Sequence, residues 1–168
     1  MLVRFAMLMV VAVVCVLPCH ADGNGFAADL TRGTLPYIAG VALWPVLTDG
    51  KDGLPETARI LDGQIINGLI TEGLKKTVHE WRPDHSTHDS FPSGHASAAF
   101  ALAGAEAKLH PKQQWIYLGL GALISWSRVD QDRHYWHDVI AGAAIGYTSG
   151  YWAAGSKDGL LLGRVFKW

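Results

Sequence analysis

Residues 128–138 read Arg-Val-Asp-Gln-Asp-Arg-His-Tyr-Trp-His-Asp, with arginines, histidines and aspartates crowded into one short run. Apolar, glycine-containing segments flank it at 115–126 and 139–152. Both flanks have helical periodicity, so the polar run is predicted to be a turn between two buried helices. Bare charges there are expensive and require partners or a ligand. His134 and Asp138 are four apart; in a helix starting near His134 they share a face, one turn apart. A carboxylate so placed holds an imidazole in one tautomer and stabilises its charged form. That is a way to build a nucleophilic or basic histidine.

Two further polar clusters fall at predicted helix ends. Pro55 and Glu56 open a long helix that Arg82-Pro83 is expected to stop, with Lys75 and Lys76 near its end. Ser93 is a natural N-cap for an alanine-rich helix over 96–109, with Gly94 and His95 beside it. In an up-and-down bundle, the end of one helix and the start of the next share an end of the molecule. The clusters at 75–82, 93–95 and 128–138 are therefore predicted to meet on one exposed rim. The cations that meet there, Lys75, Lys76, Arg82, Arg128 and Arg133, with the amides of Ser93 and Gly94 at a helix start, would make an anion site. Arginine's fork suits a tetrahedral oxyanion, so phosphate is the natural ligand. His134, oriented by Asp138, is expected to attack phosphorus, and His95 to protonate the leaving oxygen.

These residues carry a resemblance. Lys75-(six residues)-Arg82-Pro83, Pro92-Ser93-Gly94-His95 and Ser127-Arg128-(five residues)-His134-(three residues)-Asp138 resemble the three-part signature of the type 2 phosphatidic acid phosphatase superfamily. That superfamily includes lipid phosphate phosphatases, bacterial class A acid phosphatases and vanadium haloperoxidases. The resemblance implies a helical bundle and hydrolysis of a phosphomonoester or pyrophosphate through a phosphohistidine on His134, without a metal or other cofactor. It implies that His95 is the general acid, that Asp138 supports His134, and that Lys75, Arg82, Ser93, Gly94 and Arg128 hold phosphate.

The elements that must position these groups are helices. Leu61, Ile65, Ile66, Leu69, Ile70 and Leu74 form a stripe at three- and four-residue spacings, with Gln64, Asn67 and Glu72 among them. Such a helix spans a bilayer only if neighbours cover its polar side. Gly119, Gly121 and Ala122, and the run Ala141 to Gly146, would let two helices approach their neighbours closely. Residues 23–33 read as a linker, 35–47 as a short helix with Pro36 and Pro45, and 160–168 as a short terminal helix or an irregular tail. No useful alternating strand pattern is present. The expected fold class is all-α: a single domain over 22–168 with about five helices, preceded by a segment over 1–21. That segment has Arg4, an apolar centre and a small-residue end, the layout of a signal peptide; an uncleaved membrane helix is the alternative. Both cysteines, Cys15 and Cys19, lie inside it, so cleavage leaves no thiol chemistry.

Composition narrows the partners. Hydrophobic residues make up 49% and charged residues 17%, with a net charge of −1 and no basic patch, which excludes nucleic acid. The leading expectation is an exported phosphatase, in the periplasm or at the cell membrane and facing outward. Its substrate would be a lipid phosphate such as phosphatidic acid, phosphatidylglycerol phosphate, undecaprenyl pyrophosphate or a lipid A phosphate. The alternatives are a soluble periplasmic acid phosphatase for small phosphomonoesters, a vanadate-dependent haloperoxidase, and a non-catalytic phospholipid binder. A metal enzyme built on His134, His137 and Asp138, or on Asp84, His85, His88 and Asp89, is disfavoured, because neighbouring arginines and lysines oppose a dication.

Overall fold

The computed structural model describes residues 25–157 and 159–165, so the leader expected over 1–21 lies outside the described residues. Five long helices follow one another: α1 (Phe26–Thr48), α2 (Gly53–Val78), α3 (Gly94–Leu109), α4 (Gln114–Asp130) and α5 (Trp136–Ala154). A single turn, α6 (Leu162–Val165), follows them. Short 3-10 turns at Gly50–Asp52 and Pro111–Gln113 join α1 to α2 and α3 to α4. No strand occurs among the described residues. The architecture is the expected all-α bundle.

Two boundaries differ from the sequence reading. The segment expected to be a linker is helical from Phe26, and α1 runs on through Pro36 and Pro45. Ala27, Leu30, Tyr37, Ile38, Val41 and Ala42 are all buried along one face. Their packing sustains a helix that local propensity alone would interrupt. At the other correction, α2 stops at Val78 rather than at Arg82-Pro83, because His79 takes left-handed backbone angles (φ 49°, ψ 44°). Residues 79–93 are then a loop closed on itself. Ser90 N–H donates to Glu80 O at 3.0 Å and Arg82 N–H to Thr87 O at 3.0 Å.

The alanine-rich α3 is the central rod. Ala96, Ala99, Ala101, Leu102, Ala103, Ala105 and Ala107 are buried, so apolar residues face inward all round it. It packs against α5, α4 and α2. Its contact with α5 is backbone on backbone: a Cβ at Gly146 would lie 2.0 Å from Ser97 O, and one at Gly150 1.9 Å from Ala101 O. Gly119 in α4, expected to serve a similar approach, faces open space, while Gly121 packs on the Phe100 ring.

The α2 stripe is oriented opposite to that of a water-soluble amphipathic helix. Gln64 and Asn67 face the bundle, while Glu72 is exposed: Asn67 Nδ2 donates to Ser97 Oγ at 3.2 Å, and Gln64 Nε2 to Ala98 O at 3.1 Å. Thr71 Oγ1 and Ser97 Oγ are hydrogen-bonded at 3.1 Å. Leu69, Ile65 and Ile70 point outward, Leu69 at 69% exposure. Asp62, also turned inward, accepts the amides of Leu160, Leu161 and Leu162 at 2.7–3.0 Å and anchors the chain entering α6.

Candidate active site

The antiparallel order of α1 to α5 brings the start of α1, the 79–93 loop, the start of α3 and the turn between α4 and α5 to one end. Ser93 caps α3, its Oγ accepting from Ala96 N–H at 3.5 Å, a long bond. Gly94 and His95 follow in the first turn, where amides lack intrahelical acceptors. Lys75 lies over that turn: a Cβ on Gly94 would meet its Cε at 3.9 Å. The Lys75 ammonium donates to Asp89 O. Asp89 also grips Arg82 through two parallel bonds, Nε to Oδ1 and an Nη to Oδ2, both 3.0 Å.

Arg128, at the end of α4, is 5% exposed. One Nη donates to Thr31 Oγ1 at 3.0 Å, while its buried Nε has no hydrogen-bond partner within the protein. Burial, reinforced by Arg82 and Arg133, lowers its guanidinium to about 10. Gln131 completes this corner, donating to Thr31 Oγ1 at 2.7 Å and Ala27 O at 2.8 Å.

His134 precedes α5 rather than lying within it, and it is 2% exposed, so the expectation of an exposed rim position is corrected. The two residues meet at the helix mouth. Asp138, fully buried in the first turn, accepts Tyr135 N–H at 2.9 Å and Ser90 Oγ–H at 2.5 Å on Oδ2. His134 Nδ1 is 3.5 Å from the same oxygen, beyond the usual hydrogen-bond length. The Asp138 carbonyl in turn accepts Ser93 N–H at 3.1 Å, tying the two halves of the site together.

Electrostatics shows which groups face one another. Burial chiefly, then Arg128, His134, Arg82 and Lys75, pushes His95 down to about 4. His134 is also lowered, by burial first; Asp138 opposes the shift, and Lys75, Arg128 and Arg82 add to it. Asp138 is held below the usual carboxylate range: burial, the largest effect, raises it, and the nearby His134 ring with the hydrogen bonds from Ser90 and Tyr135 outweighs that. Lys75 is lowered by burial. All eight residues singled out from the sequence therefore gather at one end of the bundle: three cations, two imidazoles favoured in their neutral form, one buried carboxylate, and Ser93 and Gly94 at a helix N-terminus. Such a field favours an anion. A cleft of about 690 Å³ opens beside it, touching Arg82, His95 and Arg128 and walled in part by Phe26, Ala28 and Trp126.

Lys76 is exposed. Arg133 lines the same cleft as Arg82, His95 and Arg128, but it is pinned by Asp84, 2.7 Å away, and joins two loops. His88 lies against Trp81, ring centroids 3.4 Å apart and planes tilted by 39°. Asp84 and Asp89 are engaged by arginines, so they do not assemble a metal site with His85 and His88. Sequence reasoning missed Ser90, Thr31 and Gln131, and it placed Asp89 only in a rejected metal cluster. Thr31 lay in the presumed linker, which hid it.

A family model described as PAP2 superfamily matches residues 58–158. A lipid A 1-phosphatase of Rhizobium johnstonii is 32% identical over 97 residues, which is 49% of this chain and 40% of that protein. Lipid phosphate phosphatase 2 of Arabidopsis thaliana is 27% identical over 167 residues, 73% of this chain and 58% of that one. The chain thus covers less than two thirds of these relatives. Among solved structures, Aquifex aeolicus LpxE shares the fold with a TM-score of 0.62 at 22% identity, over 82% of this chain and 88% of that one. A transmembrane PAP2-type phosphatidylglycerolphosphate phosphatase from Bacillus subtilis does so with the same score and identity, over 89% and 84%.

Proposed function

The chain belongs to the PAP2 superfamily, and from that premise we propose that it hydrolyses a phosphomonoester or pyrophosphate of a membrane lipid. The observation that carries this reading is the convergence of Lys75, Arg82 and Arg128 with His95 and His134 at the start of α3. Phosphate binds the three cations and the first amides of α3, and the orphaned Nε of Arg128 is one donor for it. His134, neutral at pH 7, attacks phosphorus through Nε2 while Nδ1 faces Asp138. The P–O bond to the leaving group breaks as His95 donates a proton to that oxygen. The cations offset charge on the equatorial oxygens in the transition state. Water then attacks the phosphohistidine, giving its proton back to His95, and inorganic phosphate leaves. Asp138 stabilises the charge on His134 throughout.

Two features support a lipid as the alcohol part. The cleft beside the anion site has apolar walls in Phe26, Ala28 and Trp126. The bundle also turns apolar side chains outward, Leu69, Leu47 and Ile140 among them, which fits association with a membrane. Among the described residues, no helix is long and apolar enough to cross a membrane. Export by the leader remains part of this proposal.

The test is phosphate release from a panel of lipid phosphates and small esters in detergent. Wild type is expected to favour lipids, and His134→Ala to lose at least about 10³ of kcat, given its role as nucleophile. Because His134 is buried, circular dichroism must show that the variant is folded. A folded His134→Ala chain that retains wild-type turnover removes the assignment.

A further inference from the structure

One cluster of potential ligands shares Asp138 with the site and adds two side chains, Glu80 and His137, that the proposed reaction does not use. Glu80 in the 79–93 loop and His137 at the start of α5 both face Asp138. His137 Nε2 is 2.8 Å from Glu80 Oε1 and 3.1 Å from Asp138 Oδ1. One ligand atom from each residue falls within 4.8 Å of the others.

The two oxygens of Asp138 differ. Oδ2 accepts from Ser90 and Tyr135 and faces His134. Oδ1 is buried and accepts no hydrogen bond, since His137 is close to it but directs its bond to Glu80. A fully buried carboxylate with one unpartnered oxygen is costly unless something positive meets that oxygen. The group next to it is an imidazole more than half exposed, flanked by a second carboxylate, so the cluster is open to solvent. One imidazole nitrogen and two carboxylate oxygens suit a borderline divalent ion such as zinc, with solvent completing a tetrahedron. Two carboxylates balance a dication. Lys75, Arg82 and Arg128 oppose a dication among themselves, in the anion cup; Glu80 and His137 offer one on the opposite edge of the same carboxylate.

We propose that Glu80, His137 and Asp138 form a binding site for a divalent transition-metal ion, zinc by chemistry, whose occupancy inhibits the enzyme. A dication on Oδ1 draws negative charge from the carboxylate that supports His134, so the imidazolium character needed during phosphoryl transfer is less stabilised. The binding half stands on these three residues alone. The inhibitory half rests on the phosphatase reading.

The experiment titrates zinc alone into the purified full chain against a chromophoric chelator and, separately, follows phosphate release from p-nitrophenyl phosphate with rising zinc. Wild type is expected to bind one equivalent. His137→Ala and Glu80→Gln should each weaken binding at least about tenfold while leaving zinc-free turnover intact, since neither side chain touches phosphate. Zinc should lower kcat in wild type and not in His137→Ala. Equal affinity in wild type and His137→Ala overturns the site, whatever other histidines contribute. Undiminished wild-type kcat at saturating zinc overturns the inhibition. A chain that hydrolyses nothing but binds zinc through His137 leaves the site standing and removes the phosphatase reading instead.

Discussion

A histidine that gives up a proton must first carry one, and the site works against that at His95. Burial and the surrounding cations bring it down to about 4, so it is neutral at pH 7 before substrate arrives. A phosphate anion seated among Lys75, Arg82 and Arg128 cancels much of that positive field and raises His95 again. The proton can also arrive on the substrate monoanion. His95 therefore matters in proportion to how badly the leaving oxygen needs a proton. His95→Ala is expected to lose about 10² to 10⁴ in kcat/KM on an alkyl phosphate, the usual contribution of a general acid. On p-nitrophenyl phosphate, whose leaving group departs as an anion, the loss should be far smaller. Measuring both substrates on wild type and variant decides it, and equal losses would remove the general-acid role. The residues of this chemistry were legible because Lys75, Arg82, His95, Arg128, His134 and Asp138 follow a fixed spacing. Their supports were not. Ser90 bonds Asp138 across 48 positions and Thr31 bonds Arg128 across 97, and no local pattern encodes such pairs.

Helix identity was legible from periodicity except at the start of α1, which read as a linker; helix orientation was not. The α2 stripe has the right spacing, yet Gln64, Asn67 and Thr71 between its members face α3, because Ser97 Oγ and Ala98 O offer them partners. A periodic pattern identifies a face without saying what covers it. Glycine has the same ambiguity. Gly119 and Gly150 sit inside α4 and α5, and sequence alone cannot separate a close approach from a weak spot in a helix. The structure does: a Cβ at Gly150 meets Ala101 O at 1.9 Å, and one at Gly119 meets nothing within 4 Å. Gly150→Ala must push α3 and α5 apart and is expected to cost about 1–3 kcal/mol, as overpacking does. Gly119→Ala should be neutral or stabilise by up to about 1 kcal/mol through helix propensity. Thermal unfolding of the two variants beside wild type checks the pair; a Gly150→Ala protein as stable as wild type would contradict the backbone contact.

At the scale of the whole molecule, an apolar core coexists with buried polar groups and with large apolar side chains turned outward. Asp62, Asn67, Thr71, Ser97 and Glu106 are buried, while Leu35, Leu47, Leu69, Trp115, Ile140 and Trp152 are each more than 60% exposed. Exposed large apolar groups are normal singly, but here they lie on every long helix except the central α3, with Ile65 and Ile70 beside Leu69 on α2. Each such side chain left in water forgoes roughly 1.5–3 kcal/mol that burial would supply. Acyl chains at a membrane would supply it, and on the proposed function the anion cup would need only to reach a headgroup phosphate. The full chain is therefore expected to partition onto anionic phospholipid vesicles. An Ile65→Ser, Leu69→Ser double variant should partition several-fold more weakly, because it removes two of those groups from the outer face of α2. Neither residue lies near the phosphate, so kcat on p-nitrophenyl phosphate should not change. Co-sedimentation with vesicles, run beside that assay, reads both quantities. A wild-type chain that stays in the supernatant, or a double variant that partitions as strongly as wild type, would show that the outward apolar face of α2 is not what meets lipid.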